Sequence, residues 1–151
     1  MGTTTFSGPV RSGTLKTGET NGPNLGYAVL EQETSITQNS TTAVSSTLYI
    51  PVGSKIIDII VDVLTAFDSA STAVLSVGTA AAGTEYAGSV DAKTAGRVRP
   101  TFTAAQLAAM SNVSVLGVAA PTPATVVVTV TPTGATTAGY LKVTLVYAQL
   151  A

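Results

Sequence analysis

The chain has no cysteine, no histidine and no tryptophan among its 151 residues. Without cysteine, neither disulfide bonds nor thiolate metal sites can hold the fold together. Histidine and cysteine are also the commonest general bases and nucleophiles and the best transition-metal ligands. Any catalysis would have to rest on Asp, Glu, Lys, Ser or Tyr. We therefore expect a protein that is not an enzyme and that holds no cofactor and no metal.

Charge is also scarce. Charged residues make up 10% of the chain and the net charge is −1, whereas about a quarter of the residues of an average soluble protein are charged. Such a surface has no electrostatic footprint for nucleic acid. No apolar run reaches the length of a membrane span, and the first residues lack the pattern of a signal peptide. The sequence thus predicts partners other than nucleic acid and membranes.

Small and β-branched residues dominate what is present. Threonine supplies 26 positions, and with Ser, Gly, Ala and Val it makes up most of the chain. This composition is typical of β-structure joined by small-residue loops. A sparsely charged surface suits a protein that packs against neighbours. An ordinary secreted sandwich has a similar composition, so composition alone leaves both interpretations open.

Residues 1–25 differ from the rest, because glycine and proline recur every few residues and apolar residues are isolated. Such a segment cannot form its own core. It is either a disordered tail or an extended arm that becomes ordered on a partner. In the second interpretation Phe6, Val10 and Leu15 are apolar anchors, and Arg11 and Lys16 are charge contacts. Residues 26–151 are then a single domain.

The longest apolar stretch covers residues 55–68, and we predict that it forms a long strand. A helix is the alternative, since Asp58 and Asp62 are four residues apart, but isoleucine and valine favour a strand. Side chains alternate between the two faces of a strand. One face is then uniformly apolar or small and is predicted to form the core; it consists of Ile57, Ile59, Val61, Val63, Thr65 and Phe67. The other face mixes carboxylates with aliphatic residues and is predicted to be half-buried by a second sheet or a sister subunit; it includes Ile56, Asp58, Ile60, Asp62 and Leu64.

The remaining pattern predicts about eight strands with turns at short, fairly even spacing. Further strands are expected at residues 27–38, 47–50, 73–77, 113–118, 125–131 and 140–148, with short extended pieces near Tyr86 and Val90. A capping box from Thr103 to Gln106 predicts one short helix over roughly residues 104–110. The predicted fold is an all-β antiparallel sandwich or jelly roll.

Two arginines, Arg97 and Arg99, are two residues apart and so lie on one side of a strand. They are either a carboxylate-binding pair in an interface or a solvated edge. Asp58 and Asp62 are too far apart on one strand for the carboxylate pair of a retaining glycosidase. The predicted subunit interface combines these charges with the mixed face of the long strand; it consists of Ile56, Asp58, Ile60, Asp62, Leu64, Arg97 and Arg99.

Two loops could be mistaken for ligand sites. Gly78, Gly83 and Thr84 have the glycine spacing of a phosphate-binding loop, but the lysine is missing, so we reject nucleotide binding. Asp68 and Ser69 could hold calcium together with loop carbonyls, although a capped turn is the stronger interpretation.

Four segments resemble capsid decoration (cement) proteins of tailed bacteriophages. They are LYIPVG at residues 48–53, AFD at 66–68, LSVG at 75–78 and the opening GTTTFSGPVRSG at 2–13. The resemblance implies a β-sandwich that is assembled in the host cytoplasm and forms a homotrimer on the outer surface of the virion capsid. It also implies that the protein bridges adjacent major capsid proteins and stabilises the shell.

Two other functions compete with this expectation. A carbohydrate-binding module of a phage head fibre or tail would need an exposed platform of aromatic and amide side chains. The absence of tryptophan argues against such a platform. A glycosidase-like sandwich enzyme would need a convincing acid pair, and the sequence offers none.

Overall fold

The structure, a computed structural model, describes residues 27–111 and 123–150, with the side chain of Leu150 excluded. The arm residues Phe6, Val10, Arg11, Leu15 and Lys16 lie outside the described residues. So does the strand predicted at residues 113–118.

Eight strands and one helix occupy the described part of the chain. They are β1 (Tyr27–Thr37), β2 (Val44–Ile50), β3 (Ser54–Thr65), β4 (Ala73–Gly78), β5 (Ala87–Asp91), β6 (Gly96–Val98), α1 (Ala104–Ser111), β7 (Ala124–Pro132) and β8 (Tyr140–Leu150). The strands form two four-stranded antiparallel sheets, sheet A in the order β1-β8-β3-β6 and sheet B in the order β2-β7-β4-β5. The predicted all-β sandwich with one short helix is confirmed.

The core lies between the two sheets and follows the alternation of the strands. In β8, alternate residues face inward and are fully buried, as are alternate residues of β7. These residues are Leu141, Val143 and Leu145 of β8 and Val126, Val128 and Val130 of β7. Both strands are paired on two sides within their sheets, so they form the centre of the sandwich.

A β-bulge near the start of β3 changes which of its residues face the core. The pairing of β3 with β8 shifts register between Ile56 and Asp58, and the extra residue exchanges the two faces of the strand at that point. Ile56 is therefore buried at 4% exposure, whereas Ile57 is 45% exposed. The prediction that Ile57 lies in the core is wrong, and so is the placement of Ile56 on the mixed face.

The remainder of β3 follows the predicted pattern up to its end. Ile59, Val61 and Val63 are buried, which confirms three of the predicted core residues. The register shifts again between Val63 and Thr65, and Thr65 is exposed, so its predicted place in the core is wrong. Phe67 is buried as predicted although β3 has already ended.

The capping box predicted for the helix is present. The backbone N–H of Gln106 donates to Thr103 Oγ1 at 3.2 Å, and the N–H of Thr103 donates to Gln106 Oε1 at 2.9 Å. These bonds satisfy amide groups that have no partner within the first turn. α1 buries Met110 in the core and leaves Leu107 half exposed.

Candidate interaction surfaces

The solvent side of sheet A, which we call the outer A face, gathers alternate residues from all four strands. Strand register places charged and aliphatic side chains side by side on it. Its members are Val29, Glu31 and Glu33 of β1, Lys142, Thr144 and Val146 of β8, Asp58, Ile60, Asp62 and Leu64 of β3, and Arg97 of β6. Ile60 is half-buried and Leu64 is 55% exposed.

Both arginines near β6 bind carboxylates of β3. Arg97 lies opposite Asp62 in the β3–β6 register, and its Nε and Nη2 donate to the two carboxylate oxygens at 2.7 and 2.8 Å. This hydrogen bonding is the main cause that lowers the pKa of Asp62 below its ordinary value. Arg99 Nη1 lies 3.2 Å from Asp58 Oδ2. The predicted carboxylate-binding pair therefore finds its carboxylates in the same chain.

A third ion pair crosses the other side of the outer A face. Lys142 Nζ lies 2.7 Å from Glu33 Oε1, and this hydrogen bond raises the pKa of Lys142. Exposed pairs of this kind contribute little to stability, because water and salt screen the charges. The three pairs thus fix the arrangement of charge on the face more than they hold the fold together.

Most of the predicted interface residues are brought together on this face. Asp58, Ile60, Asp62 and Leu64 share it with Arg97, and Arg99 reaches it through its ion pair. Ile56 does not belong to it, because the bulge turns this side chain into the core. The role of the face in subunit contact stays a prediction.

A second surface lies at the start of β1, in residues 27–31, which we call the β1 tip. Tyr27, Val29 and Leu30 are 39%, 65% and 42% exposed. Neighbouring residues point to opposite sides of a strand, so the tip is open on both faces. Gln32 Nε2 donates to the carbonyl of Tyr49 at 3.0 Å, and β2 ends one residue later. The tip therefore extends past the end of β2, at the point where residue 26 joins β1.

One cation lies on this tip. Lys55 Nζ is 4.6 Å from the centroid of the Tyr27 ring, a cation–π contact that contributes about 0.5–1 kcal/mol at an exposed site. The ring and the ammonium group therefore lie together at the start of β1.

Asp68, in the loop that follows β3, binds the loop that precedes β8. Oδ1 of Asp68 accepts the backbone N–H groups of Thr137 at 2.8 Å and Ala138 at 3.1 Å, and Oδ2 accepts the Thr137 hydroxyl. These bonds lower the pKa of Asp68 to about 2, and the bond from the Thr137 hydroxyl contributes most. The carbonyls of Ser69 and Ser71 accept hydrogen bonds from Lys93 Nζ at 2.6 and 3.0 Å. An ammonium group of the chain itself thus occupies the carbonyls that the calcium interpretation required.

The loop with phosphate-like glycine spacing holds a carboxylate. Glu85 Oε2 accepts the backbone N–H of Thr79 at 3.2 Å. A negative charge at this position repels a phosphate group, which agrees with the rejection of nucleotide binding. Across residues 27–111 and 123–150, no three His, Cys, Asp or Glu side chains cluster in a way that could hold a metal.

Comparison with protein-family models, curated proteins and solved structures finds no match. In the described part of the chain, no helix is long and apolar enough to cross a membrane. The functional interpretation accordingly rests on the two surfaces and on the sequence.

Sequence reasoning missed the contribution of β1 and β8 to the outer A face. Glu33 and Lys142 are 109 positions apart, and only the register of β1 on β8 brings them together. The β1 tip was also missed, because the period-two pattern of residues 27–31 does not show where the opposite sheet ends.

Proposed function

We propose that the protein is a structural virion protein that decorates the outer surface of a phage capsid and stabilises the shell by bridging major capsid proteins. The observation that carries this proposal is the β1 tip. Its apolar side chains are exposed on both faces where residues 1–26 join the domain. In the sequence, the isolated apolar residues Phe6, Val10 and Leu15 of the arm precede these exposed apolar groups.

In this proposal the arm and the domain have separate tasks. Residues 1–25 bind the major capsid protein, with Arg11 and Lys16 as charge contacts beside the three apolar anchors. The outer A face contacts sister copies, and the resemblance implies a trimer. A capsid offers many identical sites, so contacts that are weak singly become strong together.

The outer A face has the composition that a subunit contact needs. Ile60 and Leu64 supply apolar area between fixed ion pairs. Because Asp58 and Asp62 are already paired within the chain, a partner that packs on Ile60 and Leu64 does not meet an isolated carboxylate of β3. Paired charges of this kind favour correct register more than raw affinity.

Binding to capsids assembled without this protein tests the role of the arm. The full chain should bind in a saturable manner, and deletion of residues 1–24 should weaken binding at least about tenfold, the change that ~1.4 kcal/mol produces. Replacing Phe6, Val10 and Leu15 together with alanine should have a similar effect. The matched control replaces Thr3, Thr4 and Thr5 with alanine and should bind like the parent.

Two results would contradict the proposal. Unchanged binding after the deletion would remove the arm from the contact. Binding to cell-surface glycans without any binding to capsids would instead favour a carbohydrate-binding module. The melting temperature of each variant, measured alone, shows whether the domain still folds.

A further inference from the structure

Among the described strands, one edge of β1 has no neighbour, and the hydrogen-bonding groups along it can be assigned. β1 is an edge strand of sheet A and pairs only with β8 among the described strands. Just past its end, the N–H of Gln38 donates to the carbonyl of Gly139 at 3.0 Å. Backbone N–H and C=O groups of successive residues point to opposite sides of an antiparallel strand. The groups of even-numbered residues, such as Gln38, therefore point to β8. The N–H and C=O groups of Tyr27, Val29 and Glu31 therefore point to the free edge.

The free edge is accessible at the β1 tip. Further along β1, the hydroxyls of Thr34 and Ser46 lie within hydrogen-bonding distance at 2.5 Å, so this part of the strand lies against β2. By contrast, residues 27–30 are all exposed and lie beyond the end of β2. An exposed edge of this kind is a template for another strand.

Charge and shape select one register for pairing with a second copy. If Glu31 faced its own counterpart, two carboxylates would meet, which is unfavourable. If Leu30 faced its own counterpart, Tyr27 would lie opposite the partner's Glu33, and the carboxylate of Glu33 is already paired with Lys142. If Val29 faces Val29, each Glu31 instead lies opposite the partner's Tyr27, whose ring carries Lys55.

We propose that two copies of this chain pair through their β1 tips, antiparallel and about a two-fold axis at Val29, so that sheet A continues from one copy into the other. The contact forms about six backbone hydrogen bonds between the odd-numbered residues. It covers Val29 with its counterpart and places Glu31 beside the partner's Lys55.

This contact uses the β1 tip itself, whereas the proposed capsid contact is made by residues 1–25, and it shares only Val29 and Glu31 with the outer A face proposed for the trimer. A two-fold contact joins copies in pairs and does not close a three-fold ring, and it leaves Ile60 and Leu64 uncovered. Because it covers few residues, it is weak in the free protein. Its test uses the full chain without capsids, so its failure would leave the proposed function in place.

Single-cysteine variants test the register, because the natural chain contains no cysteine. In the proposed pair, the two Cα atoms at position 29 are about 5.5 Å apart, within the range of a disulfide bond. Val29→Cys should therefore form a disulfide-linked dimer under mild oxidation at least about tenfold faster than the controls. The controls Glu31→Cys and Ser35→Cys lie on the same face of the same strand. Equal rates in all three variants, or fastest linkage in Glu31→Cys, would overturn the proposal.

A charge exchange tests the same contact without cysteine. Glu31→Lys and Lys55→Glu should each weaken self-association in sedimentation equilibrium, because each places like charges opposite one another. The double variant should restore it. If the double variant instead loses as much self-association as the two single variants together, Glu31 and Lys55 do not pair across the contact.

Discussion

Replacing Ile56 with alanine should destabilise the protein much more than the same change at its neighbour Ile57. The two residues are chemically identical and adjacent, and only the bulge between Ile56 and Asp58 distinguishes them. Ile56 is 4% exposed and belongs to the core, whereas Ile57 is 45% exposed. Simple alternation along the strand predicts the opposite result, so the pair of variants tests the bulge directly.

The expected magnitudes follow from burial. An isoleucine loses three carbon groups on replacement by alanine, and at about 0.8 kcal/mol for each buried group the transfer loss at Ile56 is ~2.4 kcal/mol. The cavity adds to this, and the total should lie within about 2–5 kcal/mol. Ile57 is already 45% exposed, so about half of this transfer loss remains and the total should be about 1 kcal/mol. A loss of ~3 kcal/mol lowers the melting temperature of a domain of this size by roughly 6–12 °C.

Urea unfolding at low protein concentration, followed by circular dichroism, measures both losses in the same assay. The slope of the free energy of unfolding against urea should not change, so that the midpoint alone reports stability. Equal losses at the two positions, or a larger loss in Ile57→Ala, would refute the register assigned to β3.

Three further predictions concern the turns and the outer A face. Asp68→Asn should lower the melting temperature at pH 7. The difference from the parent should vanish as the pH falls through about 2, because a carboxyl group with a lowered pKa stabilises the fold only while it is ionised. A constant difference at every pH would contradict this. Gly139→Ala should cost about 1–3 kcal/mol of unfolding free energy, since its new Cβ would lie 2.5 Å from the Phe67 ring; an unchanged urea midpoint would contradict it. Ile60→Lys should impair assembly or folding, and a soluble variant that assembles fully would count against the subunit contact.

The fold class could be predicted because the apolar alternation is long and the turns carry glycine and proline. In β8, for example, the alternate residues Leu141, Val143 and Leu145 are fully buried in the structure. The capping box was equally local, since Thr103 and Gln106 are three positions apart. Such signals depend on neighbours in sequence, so a sequence contains them directly.

The surfaces could be predicted only in part. The bulge in β3 depends on how β3 pairs with β8, and a shift of one position moved Ile56 and Ile57 to opposite sides. The arginine pair was found, but its carboxylate partners were not, because Arg97 and Asp62 meet across two strands that are 35 positions apart. The exposure of the β1 tip depends on where sheet B ends. The alternation of residues 27–31 gives no information about the facing sheet.

The number of copies that bind to each capsid tests the central claim most directly. Capsids assembled without this protein, mixed with increasing amounts of it, should bind a fixed ratio to the major capsid protein and then stop. At saturation the melting temperature of the shell should rise, because a ligand that binds only the assembled state stabilises that state. Binding that never saturates, or a saturated shell that melts at the same temperature as the bare one, would contradict the claim.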